Sequence, residues 1–202
     1  MAKVKGVKEK LHLPIYDAFF VPQGTTFEQE MTRRDPRVIR FFVDVQSKTK
    51  LETNLQTAGQ LPSLNTFEAR AMRVVTSHVL NGATNPDIPD STAVLAELIY
   101  NSVTSLLVGE KIMIEVPTFW FPSGSGVSPG TGTVPNFGEP DPLATFRFAE
   151  PVIIEPQQNF RVEILFPQGV PGTGNQVGTL GAVNGPFRLW VVLDGYLTRD
   201  VQ

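Results

Sequence analysis

The stretch Phe146-Arg-Phe-Ala-Glu-Pro-Val-Ile-Ile-Glu-Pro-Gln-Gln-Asn-Phe-Arg-Val-Glu-Ile-Leu-Phe166 decides the fold. Phe160, Val162, Ile164 and Phe166 fall at every second position with Arg161 and Glu163 between them, the period of a strand with one buried and one wetter face. Just upstream, Pro151, Pro156 and the polar Gln157-Gln158-Asn159 bracket the apolar piece Val152-Ile153-Ile154. That spacing predicts two strands joined at a tight corner. A second strongly β-prone run, Phe187-Arg-Leu-Trp-Val-Val-Leu-Asp-Gly-Tyr-Leu197, lies close to the last residue and places the end of the sequence in a sheet.

Working outward, the composition agrees with a β fold. The 17 glycines and 17 prolines among 202 residues imply many turns, and 41% hydrophobic with 18% charged residues suit a folded domain. A chain of this length buries about 70% of its unfolded surface in one core, and we expect a single domain. Cysteine is absent, which removes disulfides, thiolate metal sites and cysteine nucleophiles. No apolar run approaches the length of a membrane span, and charges stand where a secretory signal would be apolar.

Net charge is -3, but it is unevenly spread. Lys3, Lys5, Lys8 and Lys10 against Glu9 give residues 1–12 a net of +3 and leave -6 for the remainder. Such a basic arm is either a solvated, partly disordered terminus or a contact for nucleic acid, an anionic membrane or an acidic neighbouring subunit.

Strands are expected at 13–21, 38–45, 67–76, 100–108, 111–119, 145–148, 152–154, 159–166 and 187–197. The first contains Pro14 and suits a sheet edge. The charged segment Glu28 to Arg37 stops at Asp35-Pro36, and Ser47 to Asn65 reads as a long connection with a short strand around Leu51 to Leu55. In the third strand Phe67, Ala69 and Ala71 alternate against Glu68, Arg70 and Met72. One short helix starts at an Asp90 or Ser91 cap with Val94, Leu95, Leu98 and Ile99 on one face. Gly109-Glu110 joins two strands as a hairpin. Two long Gly- and Pro-rich loops, 122–142 and 167–186, are read as insertions at sheet corners, either functional or ordering against a neighbouring molecule.

Catalytic chemistry has little to draw on. His12 and His78 stand in no ligand-spaced motif. The run Gly172-Thr-Gly174-Asn-Gln-Val-Gly178 superficially resembles a dinucleotide fingerprint, but its spacing is one residue too long and Asn184-Gly185-Pro186 follows where a helix belongs. Asp87, Asp90, Glu139 and Asp141 lie in loops without a calcium-loop order. No catalytic residue, metal ligand, cofactor or small-molecule substrate is expected. Phe119-Trp120-Phe121 is different: neighbouring strand residues point oppositely, so these three cannot all face one core. At least one is a subunit contact, an intramolecular cover under a loop, or a carbohydrate-stacking platform.

Eight or so short antiparallel strands with Pro- and Gly-rich corners and one short helix fit an all-β jelly-roll sandwich, an immunoglobulin-like sandwich being shorter. Ile154-Glu-Pro156-Gln-Gln-Asn-Phe160-Arg-Val162, the following Gly-rich loop and Leu193-Asp-Gly195-Tyr-Leu-Thr-Arg199 resemble single jelly-roll capsid proteins of tailless icosahedral bacterial and archaeal viruses. Val116-Pro117 and Phe121-Pro122-Ser-Gly124-Ser-Gly126 also resemble the strand and glycine turn of those proteins. The likeness covers mainly Val108 to Gln202. It implies a self-assembling shell subunit of a phage-like virion, made in the host cytoplasm, whose partners are copies of itself and other capsid proteins. On that reading Phe119, Trp120 and Phe121 are candidate subunit contacts, and Lys3, Lys5, Lys8 and Lys10 form an arm facing the genome or an internal membrane. The alternative is a receptor- or carbohydrate-binding module of a viral spike or tail.

Overall fold

The structure, a computed structural model, describes residues 8–77, 91–121 and 146–200. Within them run β1 (Lys8–His12), β2 (Ile15–Val21), α1 (Phe27–Arg34), β3 (Val38–Phe41), β4 (Thr66–Thr76), α2 (Ser91–Tyr100), β5 (Val103–Val108), β6 (Lys111–Pro117), β7 (Phe146–Ile154), β8 (Phe160–Leu165) and β9 (Phe187–Asp200). One sheet has β1 and β2 along one side of β9, followed by β4 and β7; the other runs β3-β8-β5-β6. All pairings are antiparallel, and they nest: β2 with β9, β3 with β8, β4 with β7 and β5 with β6. Successive nested pairs alternate between the sheets, as when one long hairpin with its tip at Gly109-Glu110 is rolled around a core. This is the jelly roll anticipated from the sequence.

The corner at Pro156 is where the chain changes sheets. Val152 and Ile154 face inward from β7, and Phe160, Val162, Ile164 and Phe166 face them from β8 and its end, all buried. The pieces 145–148 and 152–154, expected as separate strands, form one strand, β7. Pro151 is tolerated because β7 is a sheet edge among the described strands and because residues 148–151 have no paired partner across β4, whose register jumps between Ala69 and Ala71. That bulge also overturns the expected alternation in β4. Phe67 and Ala69 face the core before it, Met72 and Val74 after it.

Three other strand limits differ from expectation for identifiable reasons. β3 stops at Phe41 because Phe42 adopts a positive φ of 70°, its N–H bonded to the Asp17 carboxylate and its carbonyl to Gly59. Tyr100 ends α2 rather than opening β5. Leu51 to Leu55 is no strand but a turn in which Glu52 and Thr53 donate to the Thr49 carbonyl. It lies over the outer face of the first sheet, where Trp190 Nε1 donates to the Leu51 carbonyl and the Tyr16 hydroxyl to that of Lys50.

Helix α2 begins at Ser91 as expected, with Val94 and Leu98 buried and Ile99 against the core; Asp90 lies outside the described residues. Helix α1 is an element that the sequence reading does not contain. It falls in the charged segment, and a reciprocal capping box starts it: Gln29 N–H donates to Thr26 Oγ1, and Thr26 N–H to Gln29 Oε1. Phe27 and Met31, one turn apart, are its buried face. Phe27 makes edge contacts with Phe19, Phe166 and Phe187 at 5.6, 6.3 and 6.0 Å, so α1 plugs one end of the sandwich.

The loop 167–186 packs onto its own chain. Val170, Leu180 and Val183 are buried, and the Glu97 carboxylate of α2 accepts from Thr179 N–H, Thr179 Oγ1 and Leu180 N–H. Loop 122–142 lies outside the described residues.

Candidate functional site

The aromatic triplet sits on a base of buried hydroxyls. Thr118, fully buried, meets Ser102 Oγ and Thr104 Oγ1 at 2.7 Å each, and its N–H donates to the Ser102 carbonyl. These contacts bend the chain out of β6 into a 3-10 turn, Thr118–Trp120, closed by Phe121 N–H to Thr118 O. The turn sends the three rings apart. Phe121 drops into the core, 5.1 Å from Phe146, and its carbonyl accepts from Val74 N–H of β4. Phe119 and Trp120 turn outward, 47% and 53% exposed. Phe121 is thereby removed as a surface contact by burial, while Phe119 and Trp120 remain accessible.

Tyr100, the last residue of α2 and 71% exposed, joins them. Ring centroids of Tyr100 and Phe119 are 6.1 Å apart, as are those of Phe119 and Trp120, which stack at 27°. Trp120 then meets the half-buried Phe146 of β7 edge-on at 6.0 Å. Helix end, strand end and opposite sheet thus contribute to one apolar platform. Sequence reasoning misses Tyr100, whose position reads as the start of a strand. β6 leads into the platform and is an edge of its sheet among the described strands, with Ile112 and Met113 exposed at its far end. Unpaired backbone and adjacent apolar side chains make such an edge a template for association.

The arm is shorter than the sequence implies. Lys8 and Lys10 belong to β1, in register with β9 from Lys8–Asp200 to His12–Tyr196. β2 continues the same register from Ile15–Leu193, Pro14 interrupting the ladder. Lys10 Nζ bonds Glu68, and Glu9 bonds Arg199. Lys3 and Lys5 lie outside the described residues.

His12 Nε2 is 2.7 Å from Asp194 Oδ1, with Arg73 on the other oxygen, a pairing hidden in the sequence by a separation of 182 positions. His78 lies outside the described residues, as do Asp87, Asp90, Glu139 and Asp141. Among the described residues no three of His, Cys, Asp and Glu come together to hold a metal. Just after the Gly172–Gly178 run, the N–H groups of Thr179 and Leu180 donate to the Glu97 carboxylate.

Among the described residues, three carboxyls have displaced pKa values. Burial raises that of Asp17, against the opposing pull of Lys48, which contacts both its oxygens at 2.8 Å. The Arg37 backbone N–H lowers Asp35, and the Lys10 and Arg70 side chains lower Glu68. No described helix is long and apolar enough to cross a membrane. The chain matches no protein-family model and no curated protein.

Proposed function

We propose that this protein is a shell subunit whose activity is self-assembly into a viral capsid, with the platform of Tyr100, Phe119 and Trp120 as a principal contact. The observation that carries the reading is the exposure of three large rings on a fixed base, at the end of a strand that is a sheet edge among the described strands. Exposed apolar clusters of this kind mark association surfaces, and aromatic anchors dominate the energetics of such contacts. The jelly roll is compatible with capsid, lectin and other roles, so the fold alone does not select among them. A shell needs heterologous contacts repeated under symmetry, and platform and β6 edge supply one half of such a contact. On this reading the protein resides in the virion after synthesis in the host cytoplasm, its partners are its own copies and other capsid proteins, and the residues before β1 face genome or internal membrane.

A second reading rests on the near-parallel stacking of Phe119 and Trp120, a flat aromatic face on which a sugar ring can lie. It makes the protein a carbohydrate- or receptor-binding module of a spike or tail. Trp120→Ala separates the two. The shell reading expects the variant to melt within a few degrees of the parent and to lose assembly, with no glycan bound by either protein. Loss of glycan binding with unchanged oligomers would overturn it.

A further inference from the structure

The outer face of the first sheet carries a groove of about 560 Å³ opposite the β4 bulge, lined by His12, Arg70, Arg147, Phe148, Pro151 and Tyr196 with Asp194 as its carboxylate. Its charge is unlike that of the whole chain. Two carboxylates on this face are each shared between two basic side chains: Glu68 between Lys10 and Arg70, and Asp194 between His12 and Arg73. The Glu68 cluster is therefore net positive, one carboxylate against two permanent cations. Arg147 has no ion-pair partner among the described residues, and Arg73 keeps Nε buried without a hydrogen-bond partner. Lys10 and Arg70 stand 4.9 and 5.0 Å from the Tyr196 ring centroid, which holds both heads in place.

We propose that this groove binds the phosphate backbone of single-stranded nucleic acid. The cations are spread across β1, β4 and β7 instead of converging on one point, which suits a polyanion better than a small anion. Along β1, Lys8 and Lys10 stand about 6.7 Å apart, one charge per two-residue step of the strand, with the His12 ring at the next step. Arginine forks match phosphate oxygens, and Phe148 and Pro151 give bases an apolar surface beside the charges, the combination found in sequence-tolerant single-strand binders. The proposal deepens the shell reading by naming what its inner face would hold, and rests on that reading only for the source of the strand.

The test is fluorescence anisotropy of the full chain with a labelled oligothymidylate across a salt series, for the parent, Arg147→Glu and Arg37→Glu, with particle size measured on the same samples. Arg37 is exposed just before β3 of the opposite sheet, and its change alters net charge equally. Expected is a linear fall of log K with log salt, with Arg147→Glu weakening binding and lowering the slope by roughly 0.7 for each phosphate it no longer neutralises, while Arg37→Glu matches the parent. Equal weakening in both variants, absence of binding by the parent, or capture of phosphatidylserine vesicles in place of the oligonucleotide would overturn it. Assembly abolished by Arg147→Glu would also overturn it, by making the groove a subunit contact. Intact shells without oligonucleotide binding would sink this proposal and leave the shell reading standing.

Discussion

At the scale of single residues, Asp17 does the most unusual work. It is an inward-facing carboxylate on β2 that accepts the Phe42 N–H and clasps Lys48, so it ties one sheet to the turn that ends β3 in the other. Asp17→Ala removes the acceptor of the buried Phe42 N–H and is expected to cost about 1–3 kcal/mol in urea unfolding. The pH dependence has a defined sign. Because burial raises the native pKa above the 3.8 of the unfolded chain, the native state holds this proton more tightly, so the parent's stability relative to Asp17→Asn grows as pH falls through the raised value toward 3.8. A relative stability that shrinks on acidification would contradict the assignment. Asp35 and Glu68 act oppositely: their lowered values contribute stability that is lost as pH falls below about 4. Gly195 is the other critical residue. A Cβ there would stand 2.0 Å from the Glu68 carbonyl oxygen across the bulge. Gly195→Ala is expected to lower stability by about 1–3 kcal/mol or more, read as a shift in thermal midpoint; a neutral result would mean the strands can part.

At the scale of elements, α1 is held by one cap and one aromatic plug. Thr26→Ala is expected to cost about 1 kcal/mol, measurable by chemical denaturation. Removing residues 1–12 takes away a paired strand and the Lys10–Glu68 ion pair and should lower the melting temperature. Melting unchanged from the parent would show that β1 contributes nothing. The strands with clean alternation, β8 and β9, are legible in the sequence, because each has one face on the core for its whole length. The hairpin at Gly109 and helix α2 are legible for similar local reasons. What stays hidden depends on distant partners. The β4 bulge is set by the close approach of Gly195, far along the chain, and the fusion of the two halves of β7 follows from that bulge. Phe42 leaves β3 because Asp17 takes its N–H. Helix α1 does carry a local signal, Thr26 and Gln29 at capping-box spacing, masked by charges on all sides of an eight-residue helix.

At the scale of the whole molecule, the aromatic triplet is recognisable as unable to share one core, but only the nested topology decides which ring goes where. The turn after β6 lies between α2 and β7 because β5 and β6 form the innermost pair of the roll, and that position brings Tyr100 from a helix and Phe146 from the opposite sheet to the same spot. The hydroxyl base under Thr118 then fixes Phe119 and Trp120 outward. Truncating Trp120 should therefore alter association far more than folding, with about 1 kcal/mol or less removed from the stability of the isolated fold. The account stands on the claim that these outward rings join subunits. Its most direct test is the mass distribution of the purified protein by light scattering over a concentration series, with electron microscopy of the largest species. The account predicts capsomers, sheets or closed shells that grow with concentration and are absent in Trp120→Ala. A monodisperse monomer at every concentration would contradict it.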